Sequence, residues 1–308
     1  MYSKITYVLF GLWFTLCIGS LITIFLFKNK SKHDRLNLLY RIKSWIIFFA
    51  IFTFAVNVNY IFFILIFSVV SALALREFFS IVKIPHNHLL VKYCAYLAIP
   101  CQYYFIYKSW YLAFLLFIPL YMFILIPSCL IFTAQTNNFL KTIAITQWGL
   151  LSTVYSLSHA PFLLTEAPKT YQQIVSIGLI MYLVLLTELN DIAQYFWGKC
   201  LGKHKITPQI SPHKTWEGFI GGLITIIVFA IVLYRIITPF SLIDAILSGT
   251  IISIGGFIGD IIFSAIKRDL QIKDSGKLIP GQGGILDRFD SMIVVAPLFF
   301  YFVHFLSI

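Results

Sequence analysis

The chain has 308 residues, of which 59% are hydrophobic and only 11% charged. Soluble domains carry charge on about a quarter of their residues, so this composition, with a mean hydropathy of +0.89, excludes a soluble globular domain. The net charge of +11 sits in short loops between apolar runs, which fits membrane orientation and anionic headgroups and argues against a nucleic-acid partner.

A helix of roughly 20 apolar residues covers the hydrocarbon core. Only helices or closed barrels satisfy their backbone groups there. The apolar runs are continuous rather than alternating, so they predict an all-α polytopic membrane protein with about ten transmembrane helices. The first, at about 5–27, runs into a basic segment without a small-residue cleavage site and reads as a retained helix. Lys28, Lys30, Lys32, Arg35, Arg41 and Lys43 follow, against Asp34 alone, and the positive-inside rule makes this loop cytoplasmic. The run 45–77 is too long for one span, and its polar Asn57-Val-Asn59-Tyr60 kink predicts a hairpin of two helices, the first short. Spans at about 90–107, 110–133, 140–160, 173–195, 216–236, 243–266 and 290–307 complete the set.

Counting 45–77 as two spans puts loops 78–89, 196–215 and 267–289 on the cytoplasmic side and both termini outside. Lys199, Lys203, Lys205 and Lys214 then lie inside, as the rule requires. Trp45, Trp110, Trp197 and Trp216 fall near predicted helix ends, where interfacial anchors belong. The five cysteines are scattered without metal or disulfide spacing and read as small buried hydrophobes. The acids concentrate between Glu188 and Asp290. The chain therefore reads as one membrane domain, 1–308, with a helical scaffold at 1–170 and a catalytic region at 171–308.

Three constellations carry chemistry. Glu188, Asp191 and Tyr195, at i, i+3 and i+7, share one helical face. Acids at membrane depth are costly and mark function by default, the alternative being a salt bridge to a neighbouring helix. Ser211-Pro-His-Lys214-Thr215 reads as an extended loop feeding a helix, a place where free N–H groups and the helix dipole bind anions. Its alternative is an ordinary basic loop. Asp260, Ser264 and Lys267, at i, i+4 and i+7, again share a face, and Asp287 and Asp290 open the last helix. Between them, Ser264–Ser291 gathers charges of both signs around a glycine-rich turn. Carboxylates suit hard divalent cations, and bases suit polyphosphate. The combination points to metal-dependent phosphoryl or nucleotidyl transfer at a membrane surface. A transporter would need polar residues at mid-bilayer on several helices, whereas these gather at one face.

Ser264, Lys267, Arg268, Lys273, Asp274, Gly276, Ile279, Pro280, Gly283, Gly284, Asp287, Arg288 and Asp290 stand at the spacing of a long, irregular signature. It resembles that of the phosphatidate cytidylyltransferases, also called CDP-diglyceride synthetases. Asp191, Ala193, Tyr195 and Gly198, with the Ser211–Gly218 segment, resemble a second block of that family. One departure is Gln282, where the signature has histidine, and the residues around Asp191 also differ, which resembles a paralogous branch.

The resemblance implies an integral enzyme of the cell (inner) membrane, with its catalytic loops in the cytoplasm. It would join CTP and phosphatidate into CDP-diacylglycerol and pyrophosphate, a step of phospholipid biosynthesis. It implies a two-metal site using Mg2+ and a second ion that can be monovalent, held by Asp260 and Asp287, with Asp290 and Asp191 as further ligands. Lys267, Arg268 and Arg288 would hold the triphosphate. Ser211, Lys214, Thr215, Ser264, Lys273, Gln282, Gly283 and Gly284 would hold CTP or the lipid phosphate. A homodimer is compatible with it. The alternatives are a transferase acting on another lipid phosphate or nucleotide, and a catalytically weak paralogue.

Overall fold

A computed structural model describes residues 2–26, 32–82, 89–134, 137–166, 172–281 and 283–306. Lys28, Lys30, Gln282 and residues 83–88 of the 78–89 connection lie outside the described residues. The described chain forms ten helices. They are α1 (Tyr2–Leu26), α2 (Lys32–Val58), α3 (Tyr60–Val82), α4 (Leu89–Tyr107), α5 (Tyr111–Phe132), α6 (139–166), α7 (Gln172–Leu201), α8 (Trp216–Ile237), α9 (Leu242–Asp269) and α10 (Leu286–Phe305). Seven stretches, within α2–α5 and α7–α9, are long and apolar enough to cross a membrane. The protein is thus a polytopic membrane protein built of helices, as the composition predicts.

The 45–77 run does divide in two, and Asn59 is the only residue between the helices. Its side-chain oxygen accepts from the N–H of Ile61 at 3.4 Å, which starts α3 as a helix cap would. On one continuous helix Ser44 and Glu77 would stand roughly 50 Å apart. Instead Ser44 donates to the carbonyl of Pro280 at 3.4 Å and Glu77 accepts from the N–H of Leu286 at 3.0 Å, so both reach one turn. The two helices therefore fold back on each other.

Two expectations need correction here. The first arm of the hairpin is not short, because α2 begins at Lys32 and carries Arg35, Arg41 and Lys43 on helix rather than loop. Trp45 accordingly lies within the apolar stretch Leu38–Val56, not at a helix end.

One buried polar contact in the scaffold follows from a proline. Pro119 sits in a π-helical stretch of α5, Phe117–Met122, and has no N–H to return to the carbonyl of Phe114. Gln102 of α4 donates to that carbonyl instead, at 3.2 Å. Gln147 of α6 likewise donates to Ile118 at 2.9 Å. Lipid offers no substitute donor, so such bonds fix how α4, α5 and α6 pack.

The 171–308 region is built on α7–α10. Gly256 of α9 lies against Asn190 of α7, and Gly259 lies against the backbone of Asp290–Ser291 in α10, each too close for a Cβ. These contacts bring the acid-bearing ends of three helices together. Between α7 and α8 the chain forms a small antiparallel hairpin, β1 (Lys205–Thr207) and β2 (Ser211–Thr215). The extended Ser211–Thr215 segment is thus a strand. Thr215 then caps α8 by accepting from the N–H of Gly218 at 3.2 Å.

Candidate active site

The ends of α7, α9 and α10, the β-hairpin and the turn 270–285 meet at one end of the bundle. Asp260, one turn before Ser264 on α9, accepts that hydroxyl at 3.2 Å. Its other oxygen lies 2.6 Å from the ammonium of Lys214, on β2. Lys214 also donates to Gln194 of α7 at 3.2 Å and sits over the Phe257 ring. Two motifs some 50 residues apart thus join through one ion pair.

Lys267, two turns beyond Asp260, pairs with Asp287 at 2.9 Å and stands 3.9 Å from Asp290. Asp290 is buried and accepts from the N–H of Ser291 at 2.9 Å. The Ser291 hydroxyl faces both oxygens of Asp191, at 3.0 and 3.1 Å. Asp191, Asp260 and Asp290 repel one another through space, and Lys214 and Lys267 offset that repulsion. Arg288 does the same for Glu188.

Asp287 is placed differently. One oxygen takes Lys267; the other takes the N–H groups of Ser275 and Gly284, at 2.8 and 2.9 Å. Three donors favour its ionised form and tie it to the turn. The turn itself depends on glycine. Gly281 and Gly283 have φ of 76° and 92°, which L side chains rarely adopt, and the N–H of Ile279 bonds the carbonyl of Gly283 at 2.9 Å.

Beside the turn lies a cavity of about 650 Å³. Arg41, Lys273, Lys277 and Arg288 line it with Asp274 and with Gly276, Gly281 and Gly283. Four cations against one acid, on a glycine-rich wall, suit a polyanion such as phosphate.

The predicted residues therefore separate into groups. Asp191, Lys214, Asp260, Ser264, Lys267, Asp287 and Asp290 are brought together. Lys273, Gly283 and Arg288 line the cavity, and Gly284 donates to Asp287. Arg268 is exposed and reaches away, donating to the carbonyl of Ile210 at 3.1 Å and so holding the β-hairpin. Ser211 starts β2, where it pairs with Thr207. Tyr195 shares the face of Asp191 but is 69% exposed, one turn beyond the cluster. Sequence reasoning missed four supports. Asn190 is fully buried, taking Ser253 and Gln194 on its oxygen. Ser291 and Gln194 hold Asp191 and Lys214. Glu77 of α3 meets the turn from the scaffold, and a lone acid in an apolar helix was its signal.

The carboxylate oxygens of Asp191, Asp260 and Asp290 are donors that a hard cation accepts. Among the described residues, no three His, Cys, Asp or Glu side chains are grouped to hold an ion, and Lys214 and Lys267 pair with the carboxylates instead. Asp287 has both oxygens engaged by the turn and Lys267, so Asp260 and Asp290 fit a cation better than it does.

Comparison with known proteins identifies the family. The sequence pattern of the cytidylyltransferase family matches residues 39–306. The chain is similar to the uncharacterized protein YnbB of Escherichia coli (strain K12), 43% identical over 239 residues, which is 78% of each chain. It is also similar to the phosphatidate cytidylyltransferase of Staphylococcus haemolyticus (strain JCSC1435), 47% identical over 120 residues, and to that of Bacillus subtilis (strain 168), 44% identical over 125 residues. Those two matches cover 39% and 40% of this chain and 46% of each relative, so the chain spans under half the length of either. With the family's pattern running through α2–α10 and its charged residues gathered at one end of the bundle, the chain belongs to the cytidylyltransferase family.

Proposed function

We propose that the protein transfers a cytidylyl group from CTP to a lipid phosphate, with phosphatidate as the acceptor, giving CDP-diacylglycerol and pyrophosphate. The observation that carries this is the cationic cavity beside the acid cluster, lined in part by Lys273, Gly283 and Arg288 of the motif that resembles the phosphatidate cytidylyltransferase signature. A phosphate oxygen of the lipid attacks the α-phosphorus of CTP. The bond to the β-phosphate breaks, and pyrophosphate leaves with the electron pair. The acceptor is already an anion, so no general base has to remove a proton.

Lys273, Lys277, Arg41 and Arg288 hold the triphosphate by charge, and the turn's backbone lets it approach closely. Lys214 and Lys267 meet the phosphates at the acid cluster. Asp260 and Asp290, with Asp191, are the residues that would hold Mg2+ and a second ion, in place of the lysine ammonium groups they now face. Magnesium there would neutralise phosphate charge and polarise the reacting phosphoryl group. The site end of the bundle carries the basic segments Lys199–Lys214 and Lys267–Arg288, and by the positive-inside rule they support a cytoplasmic site. The lipid acceptor then comes from the same membrane.

A second acceptor, another lipid phosphate, is favoured by one observation. The likeness to YnbB extends over 78% of the chain, while the likeness to phosphatidate cytidylyltransferases stops near 40%. Purified protein with labelled CTP, magnesium and a panel of lipid phosphates separates the two. Label in CDP-diacylglycerol supports phosphatidate, and label in another lipid moves the assignment to that acceptor. Label in no lipid rejects the transfer reaction.

A further inference from the structure

Glu77 stands near the C-terminal end of α3, in the half of the chain that composition assigns to scaffold. It is 5% exposed, whereas its neighbour Arg76 is exposed. An acid buried in an apolar helix is costly and calls for a partner. The partner is the signature turn. Oε2 of Glu77 accepts the N–H of Leu286 at 3.0 Å and the hydroxyl of Ser275 at 3.5 Å. Gly276 and Gly284 press against the same carboxylate, and a Cβ at either position would collide with it. Oε1 is buried and has no hydrogen-bond partner among the described residues.

Asp287 holds this backbone too, through the N–H groups of Ser275 and Gly284. One carboxylate from α3 and one from α10 therefore grip the same two stretches, 275–276 and 284–286. What they fix is the wall of the cationic cavity, since Gly276, Lys277 and Gly283 lie in or between those stretches.

We propose that Glu77 is a positioning residue for the transfer reaction, clamping the 275–286 turn so that the cavity keeps its shape and Asp287 stays with Lys267. The role rests on the transfer reaction proposed above, but the clamp itself can be read without it.

The test uses the full chain in detergent micelles. Trypsin cleavage after Lys273 and Lys277 reads the turn directly, and KM for CTP reads the cavity. In Glu77→Ala, cleavage and KM should each rise roughly tenfold or more, the scale of one lost hydrogen bond to a charged group. Glu77→Gln keeps an acceptor for Leu286 and should restore most of both. If Glu77→Ala does not accumulate, Glu77→Asp, one methylene too short, is measured in its place. Ser71→Ala, on the helix of Glu77, removes a buried hydrogen bond to Tyr103 of α4 and should leave cleavage at the wild-type rate. Unchanged cleavage in Glu77→Ala, or equal acceleration in Ser71→Ala, overturns the proposal. Faster cleavage in Glu77→Ala, when the wild-type protein moves no label from CTP, upholds the clamp and overturns the transfer reaction.

Discussion

Five acids of this protein occupy two regions that touch through Lys267. In the cluster at the ends of α7, α9 and α10, Asp191, Asp260 and Asp290 face the side chains of Ser291, Ser264, Lys214 and Lys267. In the turn 275–286, Asp287 and Glu77 take backbone N–H groups from Ser275, Gly284 and Leu286. A lysine can leave a carboxylate for a phosphate while the fold stays intact. A backbone N–H can leave only if the turn comes apart. The same chemical group thus serves as exchangeable charge in one region and as a fastening in the other.

Asp260→Asn attacks the exchangeable region. It should lower turnover about 100-fold or more, the scale of a lost electrostatic contact in a transition state. The tryptic pattern at Lys273 and Lys277 should remain that of the wild type. Asp287→Asn breaks the contrast, because this residue belongs to both regions. It should remove turnover, leave the protein in the membrane and also loosen the turn, at a cost of about 2 kcal/mol. Normal turnover in Asp287→Asn would remove it from the site altogether. Lys273→Ala with Lys277→Ala should act mainly on binding, raising KM for CTP about tenfold with a smaller change in kcat. That increase should shrink at high salt, where exposed charges are screened. Ser241→Ala acts at the far end of α9, where Ser241 and Asp244 form a capping box. It should cost about 1 kcal/mol of stability, seen as a lower melting temperature, and leave turnover unchanged.

Much of the cluster could be read from spacing. Asp260, Ser264 and Lys267 lie on one face because a helix repeats every 3.6 residues, and Ser264 does bond Asp260. The break near Asn59 followed from length and polarity, and it decided which ends of the bundle meet. Spacing could not pair Lys214 with Asp260, because that contact depends on how a β-hairpin folds over the end of α9. Nor could it show that Tyr195 turns outward. Glu77 was the larger omission. Its partner lies 209 residues further along the chain, and no periodicity reports on such a contact. The visible sign was a single acid in an otherwise apolar helix.

The bond from Glu77 to Leu286 also sets an order of events during synthesis. The α2–α3 hairpin, joined by Asn59 alone, can form as soon as both arms have been made. Its buried carboxylate must then wait for the rest of the chain. At about 5–20 residues per second, the 209 residues between donor and acceptor take roughly 10–40 s to produce. The clamp on the signature turn therefore cannot form until Leu286 has been made, and a ribosome that stops before it leaves a hairpin whose acid has no turn to hold.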